Sequence, residues 1–426
     1  MKLDFLIFYE HASRELETDC YLASLLKHRG YRVKIINRKY LWRVFLNPRV
    51  VIVPYLYGDK DVHEFTGYIS GRKRAILDLQ YEQIYNNARL ESDFSKPSAL
   101  SSLATHICWG NKTRDRMIKD GISQKNLPVT GAISMDFNSP QLRSLLKTKE
   151  SLSEEFELDS GKKWHLFISS FVYGSLSKSA LDVIEKKIPG YRPFVEVTCD
   201  SQNIVVGWIM QMAKKHPEQV FIYRPHPNEF DTPLIKKLQE TSSNIKIISN
   251  YSIRQWVAVC DTCSNWFSTS MADCFFANRP CCVLRPITIP EKFEIKLLEG
   301  CKTVSTIEEY DAFLSSDCPE ICPMDMDAFS GLYLTDTSVL FGERVADACE
   351  RVLNGTDFPF FREWKDCLRA FKYDVLASIF RLFPRLGGNK NSRYFDFHRM
   401  AMNTRKDKEL LNQYIDKFDE FWKYGR

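Results

Sequence analysis

Apolar positions along this chain gather into short continuous runs, separated by stretches in which they recur at helical spacing. "LDFLIF" (Leu3 to Phe8) is the first run; a polar loop follows, and then Leu16, Cys20, Ala23 and Leu26 line one helix face up to Gly30. The runs continue as "YRVKII", "RVVIVP" (Arg49 to Pro54), "RKRAILDL" (Arg72 to Leu79), "THICWG" (Thr105 to Gly110) and "LPVTG" (Leu127 to Gly131). Continuous apolar strands alternating with helices predict a parallel sheet covered on both faces.

A charged stretch, "LLKTKESLSEEFELDSGKK" (Leu145 to Lys163), interrupts the pattern before "WHLFIS" opens a second series. That series runs through "QVFIYR" (Gln219 to Arg224), "NIKIIS" (Asn244 to Ser249), "DTCSNWF" (Asp261 to Phe267) and "PCCVLR" (Pro280 to Arg285), with helices read at Ile204 to Lys215 and Ile253 to Val259. The fold class is therefore α/β, with two doubly wound domains expected at residues 1–150 and 160–350. Two such domains would face a cleft, and open α/β sheets bind ligands beyond the carboxyl ends of their strands. From residue 355 to 426 the pattern becomes aromatic, basic and helical, with Leu376, Ile379, Phe380 and Phe383 on one face and Arg381 and Arg385 beside it. Two readings stand for this extension: a helix that packs back on the first domain, or one that lies on a membrane surface.

A chain of 426 residues has room for two domains and an appendage, and its 44% apolar and 27% charged residues are those of a globular protein. No apolar run reaches the roughly 20 residues of a membrane span, and Met1 leads straight into the first strand, so a cytoplasmic protein is expected, with contact at the inner face of the membrane through the extension. Charge is divided unevenly. Phe358 to Arg426 holds 15 Lys and Arg against 9 Asp and Glu, which exceeds the whole chain's net +5. No nucleic-acid partner is expected. The 13 cysteines are odd in number and scattered through apolar segments, which reads as reduced, buried thiols. Cys260 and Cys263 form one CxxC without a second pair at matched spacing, and no DxD-like carboxylate pair follows a strand, so neither zinc nor magnesium is expected.

Two places carry candidate chemistry. In "VFIYRPHPNEF" (Val220 to Phe230) the prolines hold Arg224 and His226 extended at the end of a strand, where imidazole and guanidinium suit a phosphate. Two strands on, Ser268, Thr269 and Ser270 precede a helix beginning near Met271, and hydroxyls with backbone N–H groups at a helix start suit an anion. Each has a plainer reading, as a strand terminator and as a helix cap.

These residues carry a resemblance. Arg224-Pro225-His226-Pro227 with Glu229, then the serine-rich stretch ending at Ser270 with Asp273 three beyond, then "ANRPCCV", looks like the second domain of GT-B glycosyltransferases. More narrowly it resembles the bacterial surface-polysaccharide enzymes with an HP motif and a serine motif: capsule and O-antigen β-Kdo transferases, sialyltransferases and polyglycerol-phosphate transferases. "EHASRELETDCYLASLLKHRGYRVKI" (Glu10 to Ile35) and "HICWGNKTRDRMIKDGISQKNLPVTGAISMDF" (His106 to Phe137) are similar to segments of their first domain. The resemblance covers roughly residues 1 to 315. It implies two Rossmann-like domains, a nucleotide-sugar donor that is often CMP-linked, no metal, and a growing glycan or lipid-linked glycan as acceptor. It implies donor-phosphate contacts from His226, Ser268, Thr269 and Ser270, with Arg224 and Glu229 fixing the loop, and it assigns the ribose to Glu291. The catalytic carboxylate is expected in the first domain, at Glu82, with Asp78, Glu10 and Glu15 as the other candidates. These families follow their acid with a second acid and a glycine, whereas here Gln83 follows Glu82. A polyol-phosphate transferase or sugar-nucleotide epimerase on the same fold, or an inactive scaffold, are the other readings.

Overall fold

The computed structural model describes the chain outside residues 39–44, 68, 71–72, 92–95, 173–177, 228, 230–231, 318, 320–325, 362–363, 384, 387–394 and 425–426. It divides into two compact units: Met1–Gln83 with Lys96–Asp136 and Tyr333–Arg426, and Ile84–Ser95 with Phe137–Leu332.

In the first unit, β1 (Lys2–Tyr9), β2 (Val33–Asn37), β3 (Asn47–Val53), β4 (Lys73–Asp78) and β5 (Thr105–His106) form a parallel sheet in the order β2-β1-β3-β4-β5. The apolar runs are strands because both faces are covered. Leu6 and Phe8 of β1, Val51 and Val53 of β3 and Ile76 of β4 share one core with Phe65. The helix after β1 starts as a π-turn, Ala12–Leu16, and continues as α1 (Glu17–His28). Gly30, at φ +92°, ends it with a return bond from the Tyr31 N–H to the Leu26 carbonyl. The "LPVTG" run is not a strand: its one ladder contact is a bridge between Val129 and Cys108.

The second unit holds β6 (Lys163–Ile168), β7 (Gln219–Arg224), β8 (Ile245–Ile247), β9 (Thr262–Asn265), β10 (Cys281–Leu284) and β11 (Thr303–Val304), in the order β11-β10-β9-β6-β7-β8, with every pairing parallel. Its helices include α2 (Tyr191–Lys215), α3 (Ile253–Val257) and α4 (Met271–Phe276). Strand order reverses between β6 and β9 here and between β1 and β3 in the first unit. At such switch points adjacent loops leave in opposite directions and open a crevice at the carboxyl end of the sheet.

The C-terminal segment returns to the first unit through α5 (Phe341–Asn354), α6 (Trp364–Leu382) and α7 (Phe395–Tyr424). Asp136 seats α5: one carboxylate oxygen accepts the Phe341 N–H (2.8 Å), and the other accepts the Gly342 N–H (2.6 Å) and the Tyr21 hydroxyl (3.1 Å). Glycine is required at two places in this seat. A Cβ on Gly131, at φ +82°, would lie 2.3 Å from the Phe341 ring, and one on Gly342 would lie 2.6 Å from the Tyr21 ring. The "TGAISMDF" stretch is thus an anchor for the returning helix. Further on, α7 packs on α1, with Trp422 stacked on His28 at 5.5 Å and Phe418 5.8 Å from Tyr21. The two helices of the extension differ in their burial. α7 packs, whereas along α6 Phe380 is buried but Ile379 and Phe383 are exposed; Arg381 lies outside the described side chains.

Candidate functional site

Three loops leave the carboxyl ends of β6, β7 and β9 in the second unit, and side-chain hydrogen bonds stitch them together. Beyond β7, the Glu229 carboxylate accepts the Tyr223 hydroxyl (2.6 Å) and the Gln202 amide (3.3 Å) on one oxygen and the His226 N–H (3.1 Å) on the other. The Tyr223 hydroxyl also lies 3.0 Å from Ser169 Oγ, the first residue after β6, and Ser170 Oγ accepts the Phe267 N–H beyond β9 (3.2 Å). Burial pushes the Glu229 carboxyl up, while its donors, Ser169 and Tyr223 first, pull the other way. With Pro225 and Pro227 limiting the backbone on either side, His226 is held half-buried at the end of β7.

Of the two parts read for Arg224, a phosphate fork and a brace for its loop, its contacts are those of the brace. Its guanidinium is buried and turned onto the backbone beyond β8, donating to the carbonyls of Asn250 (2.7 Å), Ile248 (3.4 Å) and Tyr251. It holds the end of β7 in register with its neighbour. Ser268, Thr269 and Ser270 are half-buried, and the Ser268 N–H is fixed on Asn265 Oδ1 (3.2 Å), while Ser268 Oγ accepts the Ser270 N–H (3.2 Å). The helix they open, α4, has only six residues, so no long macrodipole stands behind these hydroxyls and N–H groups. In its first turn Asp273 is buried 3.8 Å from the Arg254 guanidinium, and burial pushes its carboxyl up to about 6 against that cation's pull.

Glu291 stands exposed on a single 3₁₀ turn after Pro290. Three residues on, Glu294 forms a two-pronged ion pair with Arg285 (2.9 and 3.2 Å), whose guanidinium lies 5.6 Å from the Trp266 ring. Neither Arg285 nor Trp266 was legible as a site residue, although each is the residue that immediately follows a strand of the sheet. That position is the signal that finds them, as it finds Ser169 and Ser170 after β6.

In the first unit the four candidate acids differ sharply in surroundings. Asp78 is buried, with one oxygen 2.9 Å from His106 Nδ1 and the other accepting the Gln80 N–H (2.9 Å), which ties β4 to β5. Glu15 is also buried and accepts the N–H groups of Glu10 (2.6 Å) and His11 (3.3 Å) and two nitrogens of Arg14 (2.8 and 3.1 Å), so it shapes the loop after β1. Glu10 pairs with Arg38, which also reaches Glu64 (2.8 Å) and the Tyr55 hydroxyl. Glu82 pairs with Arg14, and its side chain is 35% exposed, against 19% for Glu10. Burial alone would lower Arg14, but Glu15 and Glu82 outweigh it and push the guanidinium up.

The residues around Glu82 face inward and hold its loop. Gln83, which stands where the resemblance leads one to expect a second acid, donates to the Ile107 carbonyl (3.0 Å) and accepts the Trp109 N–H (3.1 Å). Gln80 donates to the same carbonyl (2.8 Å), and the Tyr81 hydroxyl donates to Asp19 (2.6 Å), whose carboxyl burial pushes well up. Glu82 is the residue of this loop that couples exposure to a charged partner.

No protein-family model and no curated protein sequence matches the chain. Solved structures do. UDP-GlcNAc 2-epimerase from Neisseria meningitidis, bound to UDP-GlcNAc, is 14% identical with a TM-score of 0.50, over 83% of this chain and all of that one. The wall teichoic acid polymerase TagF is 9% identical with a TM-score of 0.50, over 82% of this chain and 89% of that one. The fold is GT-B. Each unit of this GT-B chain gathers its polar side chains at the carboxyl end of its sheet: an Arg14–Glu15–Glu82 ion network in the first, and the His226 and Ser268–Ser270 loops in the second.

Proposed function

We propose that the chain is a glycosyltransferase that moves a sugar from a nucleotide donor to a growing surface polysaccharide or lipid-linked glycan. The observation that carries this reading is the second unit's set of braced loops at the switch point of a parallel sheet: Glu229 accepts the His226 backbone N–H and the Tyr223 hydroxyl, Tyr223 lies against Ser169, and Ser170 accepts the Phe267 N–H just before Ser268–Ser270. Donors held rigid before a ligand arrives bind phosphate without a large ordering cost, and they stabilise the charge that develops on a departing nucleotide. His226, Ser268, Thr269 and Ser270 would hold the phosphates; Arg224 and Glu229 would keep the loop in place. Glu82 would act on the acceptor side, as the base that takes the proton of the attacking hydroxyl, or as a nucleophile if configuration is retained. An acidic sugar such as Kdo, carried by CMP, is one donor to test, and an acceptor at the inner face of the membrane would give the basic C-terminal segment a surface to meet.

The neighbours support a second reading. One was solved with UDP-GlcNAc bound and is an epimerase; another is a teichoic acid polymerase. Sugar-nucleotide epimerisation and polyol-phosphate transfer therefore belong in the same assay. Incubating the protein with labelled nucleotide sugars and CDP-polyols, with and without glycan acceptor, separates the three. Transfer requires the acceptor, whereas epimerisation proceeds without it. The Glu82→Gln variant should keep donor binding and lose turnover by at least about a hundredfold, in the range of a general base's contribution. Full turnover in that variant removes Glu82 from the mechanism.

A further inference from the structure

We propose that α6 is a docking helix for an anionic lipid surface. Leu368, Phe371, Val375, Ile379 and Leu382 recur at steps of three and four residues, so they line one face of the helix for about 21 Å at 1.5 Å per residue. All five are exposed, Phe371 at 70% and Leu382 at 74%, and Leu386 and Phe383 continue the stripe past the helix end. A solvated stripe of Leu and Phe of this length is unusual for a helix whose role is internal packing, and the neighbouring helix α7 already supplies the packing on α1.

Charge selects the occupant. Lys365 and Lys372, at the edge of the stripe, and Arg385 beyond the helix end are exposed. The sequence from residue 362 to 393 carries eight Lys and Arg against three Asp and Glu. An apolar face with cationic flanks matches a bilayer interface, where Leu and Phe enter the acyl boundary while lysine ammonium groups stay among anionic headgroups. A second copy of the chain would instead bring like charges together along the same seam. Among the described residues no helix is long and apolar enough to span a bilayer, so the contact is with the surface, and it is reversible.

The test uses the whole protein and needs neither donor nor acceptor, so its failure would leave the transferase reading untouched. Flotation is compared on vesicles of phosphatidylcholine alone and of phosphatidylcholine mixed equally with phosphatidylglycerol. The protein should float with the mixed vesicles and be released by high salt, and K365E/K372E should weaken binding by about tenfold or more, taking about 1 kcal/mol per cation at the surface. F371E/L382E should abolish flotation while leaving the melting temperature unchanged, since both side chains are exposed. The proposal is overturned if the native protein ignores anionic vesicles, if neutral vesicles serve equally well, or if F371E/L382E still floats. A concentration-dependent dimer that F371E/L382E dissolves would overturn it in favour of a second copy.

Discussion

Replacing Glu229 by glutamine tests whether the loop that carries His226 is held by its acid. The substitution keeps the shape but leaves a single acceptor oxygen. In the native protein one carboxylate oxygen serves the Tyr223 hydroxyl and the Gln202 amide, and the other serves the His226 N–H. If the amide oxygen stays with Tyr223, the new NH₂ meets the His226 N–H donor to donor. If it turns to His226, the new NH₂ meets the Gln202 amide donor to donor, and Tyr223 keeps only Ser169 Oγ as its acceptor. Either way one hydrogen bond to a charged group disappears and one donor is stranded, at a cost of about 1–3 kcal/mol. Glu229 is half-buried, so the lower part of that range applies, and a unit of this size should melt about 2–6 °C lower. The loop must then be ordered when the nucleotide binds, and fixing even one residue's backbone costs about 1–2 kcal/mol, which weakens nucleotide affinity by about tenfold. Scanning fluorimetry with and without nucleotide reads both effects. An unchanged melting temperature would mean the carboxylate does not hold the loop, and a lowered one with unchanged affinity would separate the loop from donor binding.

Arg14→Ala should destabilise the protein by about 2 kcal/mol in urea titrations and cut kcat more than donor KM, because the buried Glu15 loses its cation and Glu82 its anchor; the cost stays below the roughly 3–5 kcal/mol of a fully buried pair since Arg14 is 27% exposed. Gly131→Ala, which forces a Cβ against the Phe341 ring at a left-handed φ, should cost about 2–3 kcal/mol and loosen α5, read as faster hydrogen exchange over its first turn. Asp273 has a native value pushed up to about 6, against about 4 in an unfolded chain, so it binds its proton more tightly when folded. Its stabilising contribution is complete below pH 4 and is lost as pH rises through 6. Stability of Asp273→Asn relative to the native protein should therefore climb between those values, and a pH-independent difference would contradict the buried carboxyl.

Much of the architecture was legible because parallel strands covered on both faces write themselves as apolar runs. β1, β3, β7 and β10 overlap the runs "LDFLIF", "RVVIVP", "QVFIYR" and "PCCVLR". β11 escaped because a two-residue strand, Thr303–Val304, is too short to show any period. α2 was read from Ile204 although it begins at Tyr191: its buried face keeps helical spacing through Tyr191, Phe194, Val195, Thr198 and Ser201, but Thr198 and Ser201 are polar and interrupt the apolar stripe before Val205. The return of the C-terminal helices to the first unit depends on Asp136 meeting residues 341 and 342, a contact across two hundred positions that no local pattern encodes.

The candidate site was legible where local chemistry fixes it and illegible where distant partners do. Two prolines bracketing His226 announce a rigid loop from sequence alone. The partners through which Arg224 fixes its loop do not follow from its motif, because they are backbone carbonyls 24 to 27 residues away. The resemblance assigns the ribose to Glu291, and no local pattern announces that Glu294, three residues on, pairs with Arg285. Likewise the departure at Gln83 is explained by its bonds to Ile107 and Trp109, which give the loop an anchor instead of a second acid.

Calorimetric titration of the full chain with CMP, CDP and UDP addresses the donor clamp most directly. At least one of the three should bind at one site per chain, and His226→Ala should weaken it by about ten- to a hundredfold, the worth of one charge-assisted hydrogen bond to phosphate. Absence of binding by all three, or equal binding to the native protein and to His226→Ala, would contradict the assignment of the donor phosphates to the His226 and Ser268–Ser270 loops.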